Sequence, residues 1–516
     1  LISQALRYIH TARYLRAVQI YGRIRFRLAR PRVDLSISPT LRRRLGDWQR
    51  PISRKSARVG PNRFRFLNQE RDVAGWNDAG IPKLWLYNLH YFEAPEPDLI
   101  ERWIAENPVG AGNGWEPYPL SLRIANWIKW TLSGHELPSA AIRSLAHQAE
   151  YLSQRVEHHL LANHLFVNGK ALVYGGAFFA NDRWLAQGMQ ILQTELPEQI
   201  LPDGAHFELS PLYHSLILED VLDLVNLART YPGLLPDWSE PASRMVGWLS
   251  QMTHPDGEIA FFNDAAFGIA PTPGELQLYA ARLGIAARPA PLTCGYVRLE
   301  NGPTVLLFDA APIGPDYQPG HAHADTLSFE LSHRGRRIVV NSGTSTYETG
   351  AERQRQRGTA AHSTVRVDGL DQSEVWGGFR VARRASPINV EVSTLTATAG
   401  HTGYHRLPGK VTHQRTVRLT AQGLEITDNL TGSGSHAAEL FFPLQPGIQA
   451  EAESGRVSLQ SPSGKLGTVR LDKKCNFSVE NSTYHPEFGL SIPNRTISAC
   501  WTGRLPVSFV TCFDLL

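Results

Sequence analysis

The stretch GELQLYAARLGIAARPAPLTCGYVRLENGPTVLLFDA, residues 274 to 310, contains the change of period on which the fold turns. In Gly274–Leu283 apolar residues recur at three- and four-residue steps, the spacing of one helix face. The Pro/Ala run AARPAP at 286–291 breaks that pattern. Tyr296–Leu299 and Thr304–Phe308 then alternate with a period of two, and Asn301-Gly302 stands where a tight hairpin turn is required. A helical region therefore gives way to antiparallel strands across this linker.

Toward the N-terminus the helical period recurs in Ile100–Glu106, Ser121–Thr131, Ser139–Val156, His164–Phe179, Arg183–Thr194, Ser215–Thr230 and Glu240–Met252. Pro- and Gly-containing turns separate these segments, which predicts stacked helical hairpins. Toward the C-terminus the two-residue period continues in Leu327–Leu331, Arg337–Val340, Thr364–Val367, Thr416–Leu419, Leu424–Thr427 and Val507–Cys512. Arg334-Gly335 supplies a second hairpin turn, and the whole predicts a large antiparallel sandwich. The first 33 residues hold eight arginines (7, 13, 16, 23, 25, 27, 30 and 32) and no acidic residue, with apolar residues interleaved at helical spacing. That predicts a basic amphipathic helix whose arginines snorkel over the body of the protein, or else meet a membrane surface or a partner. The expected organisation is a basic helical segment at 1–60, a helical domain at 61–288 and a sandwich at 289–516.

With 516 residues, 42% hydrophobic and 19% charged, the chain is long enough for two or three domains and excludes disorder and collagen-like repetition. The net charge of +4 suits attraction of a polyanion but does not suggest a nucleic-acid protein. The longest apolar run, Ala171–Ala180, falls short of the roughly 18 residues of a membrane span, so no integral membrane segment is expected. Cys294, Cys475, Cys500 and Cys512 show no CxxC spacing and read as buried thiols or one or two bridges. No leader pattern is visible from Leu1 onward, and the compartment stays open, a bacterial periplasmic or secreted setting being the expectation.

Polar clusters carry the functional signal. In GPDYQPGHAHADTLSFEL (314–331) a Pro/Gly loop delivers His321, His323 and Asp325 just before a strand, and two histidines at i and i+2 on an extended segment point the same way. They read as metal ligands, as a ligand and a base, or as a capping and a solvated histidine. His362 ends the polar loop after NSGTSTY (341–347) and either converges on the HxH pair or fixes its own loop. ANHLFVNGKAL (162–172) opens a helix with Asn163 and His164 and embeds Asn168 and Lys170 in an apolar run, where buried polar groups need partners. LPDGAHFELSPLYHSLILED (201–220) sets His206, Glu208, Tyr213 and His214 around a Pro turn. Trp85, Tyr87, Tyr91, Trp115, Tyr118 and Trp127 are aromatics that either stack on sugar faces or fill a core.

The stretches NLHYFE (88–93), GWEPYPLSLRIANWIKW (114–130), ANHLFVNGKAL, LPDGAHFELSPLYHS, FFNDAAFG (261–268), GHAHADTLSFEL and GTAAHSTV (358–365) together resemble the heparinase II/III-like polysaccharide lyases, in matching order from about residue 10 to at least residue 390. The resemblance implies an N-terminal incomplete α/α toroid followed by a C-terminal antiparallel β-sandwich. It also implies cleavage of a uronic-acid-containing glycan, heparin/heparan-like or a bacterial exopolysaccharide, by β-elimination. In that chemistry the uronate carboxylate must be neutralised or hydrogen-bonded before the C5 proton can leave, a base takes the proton, and an acid protonates O4. Asn163 and His164 match the neutralising segment, Tyr213 the tyrosine acid/base, and His321 the histidine that is a second base or tunes Tyr213. Trp115, Arg123, His206, Glu208 and Arg357 are the expected substrate contacts, with Arg353 and Arg355 further groove arginines. No cofactor is required, but some relatives hold a structural divalent metal through residues that map to His323, Asn341 and His362, zinc or calcium here. Asn341 departs from that pattern because an amide replaces the carboxylate, with Asp325 as a compensating ligand. Val167 departs where the related pattern often has an acid.

Two rival readings remain at this level. A glycoside hydrolase on an α/α toroid would use a carboxylate pair drawn from Asp203, Glu208, Glu219 and Asp264. A catalytically silent glycan-binding protein of a polysaccharide assembly system would keep the groove without turnover.

Overall fold

The computed structural model describes residues 2–36 and 39–516, so that positions 1, 37 and 38 of the basic leading segment lie outside the described residues. That segment forms two helices, α1 (Ile2–Ala12) and α2 (Ala17–Leu28), where the sequence predicts one. The break has a local cause. Arg16 is extended, and its backbone N–H donates to the Gln19 side chain at 2.9 Å, which caps the start of a new helix. The pair clasps both halves of the molecule. Gln19 donates to the Tyr317 carbonyl at 3.1 Å, Phe26 lies 4.3 Å from the His159 ring, and Tyr8 meets Trp376 edge-on at 4.9 Å. Of the eight arginines, Arg16 pairs with Glu198 and lies over the Tyr317 ring, and all eight are exposed, as side chains that snorkel remain.

After a short hairpin (Arg63–Phe66 with Gln69–Asp72) come nine helices: α3 (Lys83–Tyr91), α4 (Pro97–Glu106), α5 (Pro117–Leu132), α6 (Ser139–Ser153), α7 (Ala162–Phe178), α8 (Asp182–Gln199), α9 (Pro211–Thr230), α10 (Ser239–Gln251) and α11 (Pro273–Arg282). Their starts are written in the sequence. Pro sits in the first turn of α4, α5, α9 and α11, Asn181 and Ser210 cap α8 and α9, and Thr272 with Glu275 forms a capping box on α11. The helices form the incomplete α/α toroid. Helix α7 is its central member, with every residue but His164 buried. It packs on α8 through glycines: a Cβ on Gly176 would lie 2.4 Å from the Leu185 backbone nitrogen, and one on Gly188 2.7 Å from the Gly169 carbonyl.

The second half is an antiparallel sandwich. Eight strands form one sheet, in which Gly423–Thr431 lies between Thr412–Thr420 and Val507–Leu515, with Leu424 opposite Phe513. A second sheet joins Asn476–Tyr484, Ile492–Arg504, Ser435–Pro443 and Val365–Val367, and a third runs from Tyr296 to Val339 through both predicted hairpins. Phe329, Phe442 and Phe513 meet in their common core. All four cysteines are free; Cys294 and Cys475 are buried as expected, but Cys500 is exposed. No helix among the described residues is long and apolar enough to cross a membrane.

The glycine seam gives a direct test. Gly176→Val should lower stability by about 2–3 kcal/mol because α8 backbone must move. Gly274→Ala, in open space on α11, should change it little; chemical denaturation of the two variants measures the difference.

Candidate active site

Helices α7 and α9 begin beside one another, each after residues forced to positive φ: Leu161 and Ala162 before Asn163, and Leu209 before the Ser210 cap. Non-glycine residues adopt that region at a cost, and here it sets the direction from which the first turns enter. Ser210 Oγ accepts the Tyr213 N–H at 3.2 Å. The Tyr213 ring then stacks on the His321 imidazole with centroids 3.7 Å apart, and its hydroxyl shares a 2.9 Å hydrogen bond with the Tyr347 hydroxyl. Tyr213 comes from the helical half, His321 and Tyr347 from beyond the linker. With Asn163 and His164 they line a single cavity of about 940 Å³ between the two halves.

Beneath them lies Asp264, fully buried in the loop after α10. Its oxygens accept from His321 Nδ1 (2.9 Å), His323 Nε2 (2.8 Å), Thr344 Oγ1 (3.2 Å) and both terminal nitrogens of Arg353. Burial opposes ionisation, but the Arg353 charge and these hydrogen bonds outweigh it and hold the carboxyl well below the usual range. An ionised Asp264 accepts the Nδ1 proton of His321 and so leaves Nε2 as the unprotonated nitrogen, 3.6 Å from Glu208 Oε2. Burial raises Glu208 above the usual carboxylate range. Burial, followed by Tyr347 and Asp264, keeps the Tyr213 phenol well above its ordinary range, so the resting hydroxyl is neutral. On α7, burial opposes the charging of His164, but Glu157, 3.2 Å from Nδ1, raises it overall, and the ring lies 4.5 Å from Tyr118.

The structure brings Asn163, His164, Tyr213 and His321 together and separates most of the expected substrate contacts from them. Trp115 is a core aromatic between Trp103 and Tyr151. Arg123 is fully buried; it donates to Gln148, the His90 carbonyl and the Gly114 carbonyl, and lies over Trp103. His206 is buried against Gln199. Arg357 donates to the Ala322 and Gly378 carbonyls and so anchors the HxH loop, Arg353 serves Asp264, and Arg355 is tied to Glu352 and Thr483. Glu208 backs the site rather than lining it: its Oε1 lies 3.5 Å from the Asn163 N–H. Among the aromatics Tyr87, Tyr91 and Tyr118 reach the cavity, whereas Trp85 and Trp127 are core. Val167 lines the wall one turn beyond Asn163. Tyr347 and the anchoring role of Asp264 escaped the sequence reading, since their partners lie 134 and 57 residues away and no local pattern marks them.

The four carboxylates of the hydrolase reading are each already engaged, Glu208 and Asp264 beside His321 and the other two with partners of their own. Asp203 accepts three backbone N–H groups, from Ala205, Thr293 and Cys294, and Glu219 pairs with Arg54 at 2.8 Å. Asn341 donates its amide to the Phe261 carbonyl (2.8 Å) and accepts the Ser363 N–H. The buried trio whose ligand atoms lie within 4.8 Å of one another is His323, Asp325 and His362, with His323 Nδ1 3.3 Å from His362 Nε2. Burial lowers His323 to about 4, which keeps it neutral as a ligand must be, and pushes Asp325 up to about 6. Two imidazoles and one carboxylate fit a zinc-type cation and not calcium, which takes six to eight oxygens.

Two family models match the chain: "Heparinase II/III N-terminus" over residues 115–270 and "Heparinase II/III-like, C-terminal" over residues 287–511. The heparin-sulfate lyase of Pedobacter heparinus is 25% identical, over 57% of this chain and 50% of that protein. The heparin-sulfate lyase of Bacteroides thetaiotaomicron is 26% identical, over 69% and 58% respectively. The chain thus spans about half the length of the curated relatives it matches. Among solved structures, heparinase III superposes with a TM-score of 0.67 at 20% identity, covering 84% of this chain and 76% of that one. Heparan sulfate lyase HepC from Pedobacter heparinus gives 0.58 at 18%, covering 88% and 81%. At these identities the structural likeness speaks for the fold.

The buried ion pair makes a prediction of its own. Arg353→Met leaves Asp264 charged in the interior without its cation and should cost about 3–5 kcal/mol, a loss that thermal unfolding would show, whereas Arg355→Met should cost less than about 1 kcal/mol.

Proposed function

Because this chain belongs to the heparinase II/III-like family, we propose that it is a polysaccharide lyase that cleaves a uronate-containing glycan, of heparan type or a bacterial exopolysaccharide, by β-elimination. The observation that carries this reading is the stack of Tyr213 on His321 at 3.7 Å in a cavity that Asn163 also lines. The Asn163 amide donates to the uronate carboxylate and stabilises the charge that develops there. His321 Nε2 takes the C5 proton, and the C–H electrons become the C4=C5 double bond as the C4–O4 bond breaks. Tyr213, neutral at rest, protonates O4. Asp264, bound to Nδ1, stabilises the imidazolium that results. The tyrosine then recovers its proton, with the Tyr347 hydroxyl as its nearest partner.

A zinc-type cation at His323, Asp325 and His362 would act as a structural tie between the HxH loop and the strand that follows His362. Such an ion supplies loop rigidity, and no proton-transfer step runs through it.

Tyr213→Phe should lower formation of the ultraviolet-absorbing unsaturated product by about a hundredfold to ten-thousandfold while glycan binding and melting temperature hold. A well-folded variant that makes product at a near-normal rate would refute the assignment, and saturated reducing ends without the chromophore would point to a hydrolase. Removal of metal with a chelator should lower the melting temperature of the wild type by several degrees and leave His362→Ala unaffected, as read by calorimetry beside elemental analysis.

A further inference from the structure

The cations on the helical wall of the cavity are already neutralised. Lys170 lies 2.6 Å from both Asp220 and Asp223, Lys129 3.0 Å from Asp223, and Arg54 2.8 Å from Glu219. Three other arginines line the same cavity with no carboxylate at ion-pair distance among the described residues: Arg23 of α2, Arg50 of the segment that leads into the helical half, and Arg380 of the sheet half. Of these, Arg23 and Arg380 lie where the leading arm meets the cavity. Arg380 is 4.8 Å from the Trp376 ring and 6.0 Å from that of Tyr8 on α1, and its neighbour Phe379 is 6.1 Å from the His321 ring.

The arm is built so as to present Arg23. Helix α2 is set down by Arg16 on Glu198, by Gln19 on the Tyr317 carbonyl and by Phe26, whose ring lies between His159 and Arg155. At the seam stands Gly22, where a Cβ would come within 3.1 Å of the His159 Cβ; only a residue this small lets the helix backbone come so near. The next residue, Arg23, therefore reaches the rim beside Leu160, three positions before Asn163, with its guanidinium free.

We infer that Arg23 and Arg380 form an anion subsite of the glycan site, which takes the carboxylate or sulfate of a sugar flanking the reacting uronate. The inference rests on the lyase reading for its substrate and assigns the arginine-rich arm a part in recognition. Guanidinium groups are suited to it, since their planar fork matches both oxyanions.

The test uses the full chain with two probes, heparan sulfate and its unsulfated parent polymer, and measures equilibrium binding as well as turnover. Arg23→Gln and Arg380→Gln should each weaken binding and raise KM about tenfold, keep kcat within about twofold, and flatten the dependence of KM on salt, with unchanged melting temperature. Arg25→Gln, exposed on the same helix but outside the cavity, should behave as wild type. A loss confined to heparan sulfate identifies the anion as sulfate, and an equal loss on both polymers identifies it as carboxylate. If the wild type binds without cleaving, and Arg23→Gln weakens that binding, the lyase reading fails and the subsite stands. Binding by Arg23→Gln that matches the wild type on both polymers overturns the subsite, as does a wild type that binds neither.

Discussion

The site depends on one buried carboxylate. Asp264 accepts from four side chains, His321, His323, Thr344 and Arg353, and every one of them lies beyond the linker, whereas Asp264 itself belongs to the helical half. Its neighbour Asn263 adds two more ties, accepting the His323 N–H and donating its own to Asp325, both at 2.9 Å. An ion pair in the interior gains little over an apolar contact of the same size, so its value lies in what it orients. Here it fixes the tautomer of one histidine, the position of a second, and the distance between two domains.

That dependence explains which parts of the molecule the sequence reveals. Local periodicity and turn chemistry suffice for the eight helices of the hairpin series and for the turns at Asn301-Gly302 and Arg334-Gly335, because each is set by neighbours a few residues away. Helix α3 escapes because its residues Trp85, Leu86, Leu89, His90 and Tyr91 are buried on more than one face and give no clean stripe. Asn163, Tyr213 and His321 are legible through ordered motifs that resemble a family. Tyr347 is not, since its role consists of one hydrogen bond across 134 residues.

The arginines show the opposite failure. Arg123, Arg353 and Arg357 stand in family-like segments and read as ligands for anions, but each is within 1% of complete burial and has its guanidinium consumed by carbonyls or by Asp264. Arginine offers five donors in a rigid fork, which makes it as useful for pinning loops as for holding oxyanions. Sequence alone does not distinguish the two uses, because both place the residue near the site. Burial does: the arginines exposed at the cavity, Arg23, Arg50 and Arg380, come from segments no local pattern connects.

Three helices start at the cavity, with Tyr118, Asn163 and Tyr213 in the first turns of α5, α7 and α9. Each aligned helix ends in roughly half a positive charge at its N-terminus, carried by N–H groups with no partner inside the helix. The macrodipoles of α5, α7 and α9 therefore converge where an acidic sugar would lie. Unlike the field of a lysine or histidine, this one does not titrate, and it needs no mobile side chain to be ordered on binding. The helix starts thus add a fixed positive contribution at this end of the cavity, on which individual side chains add selectivity.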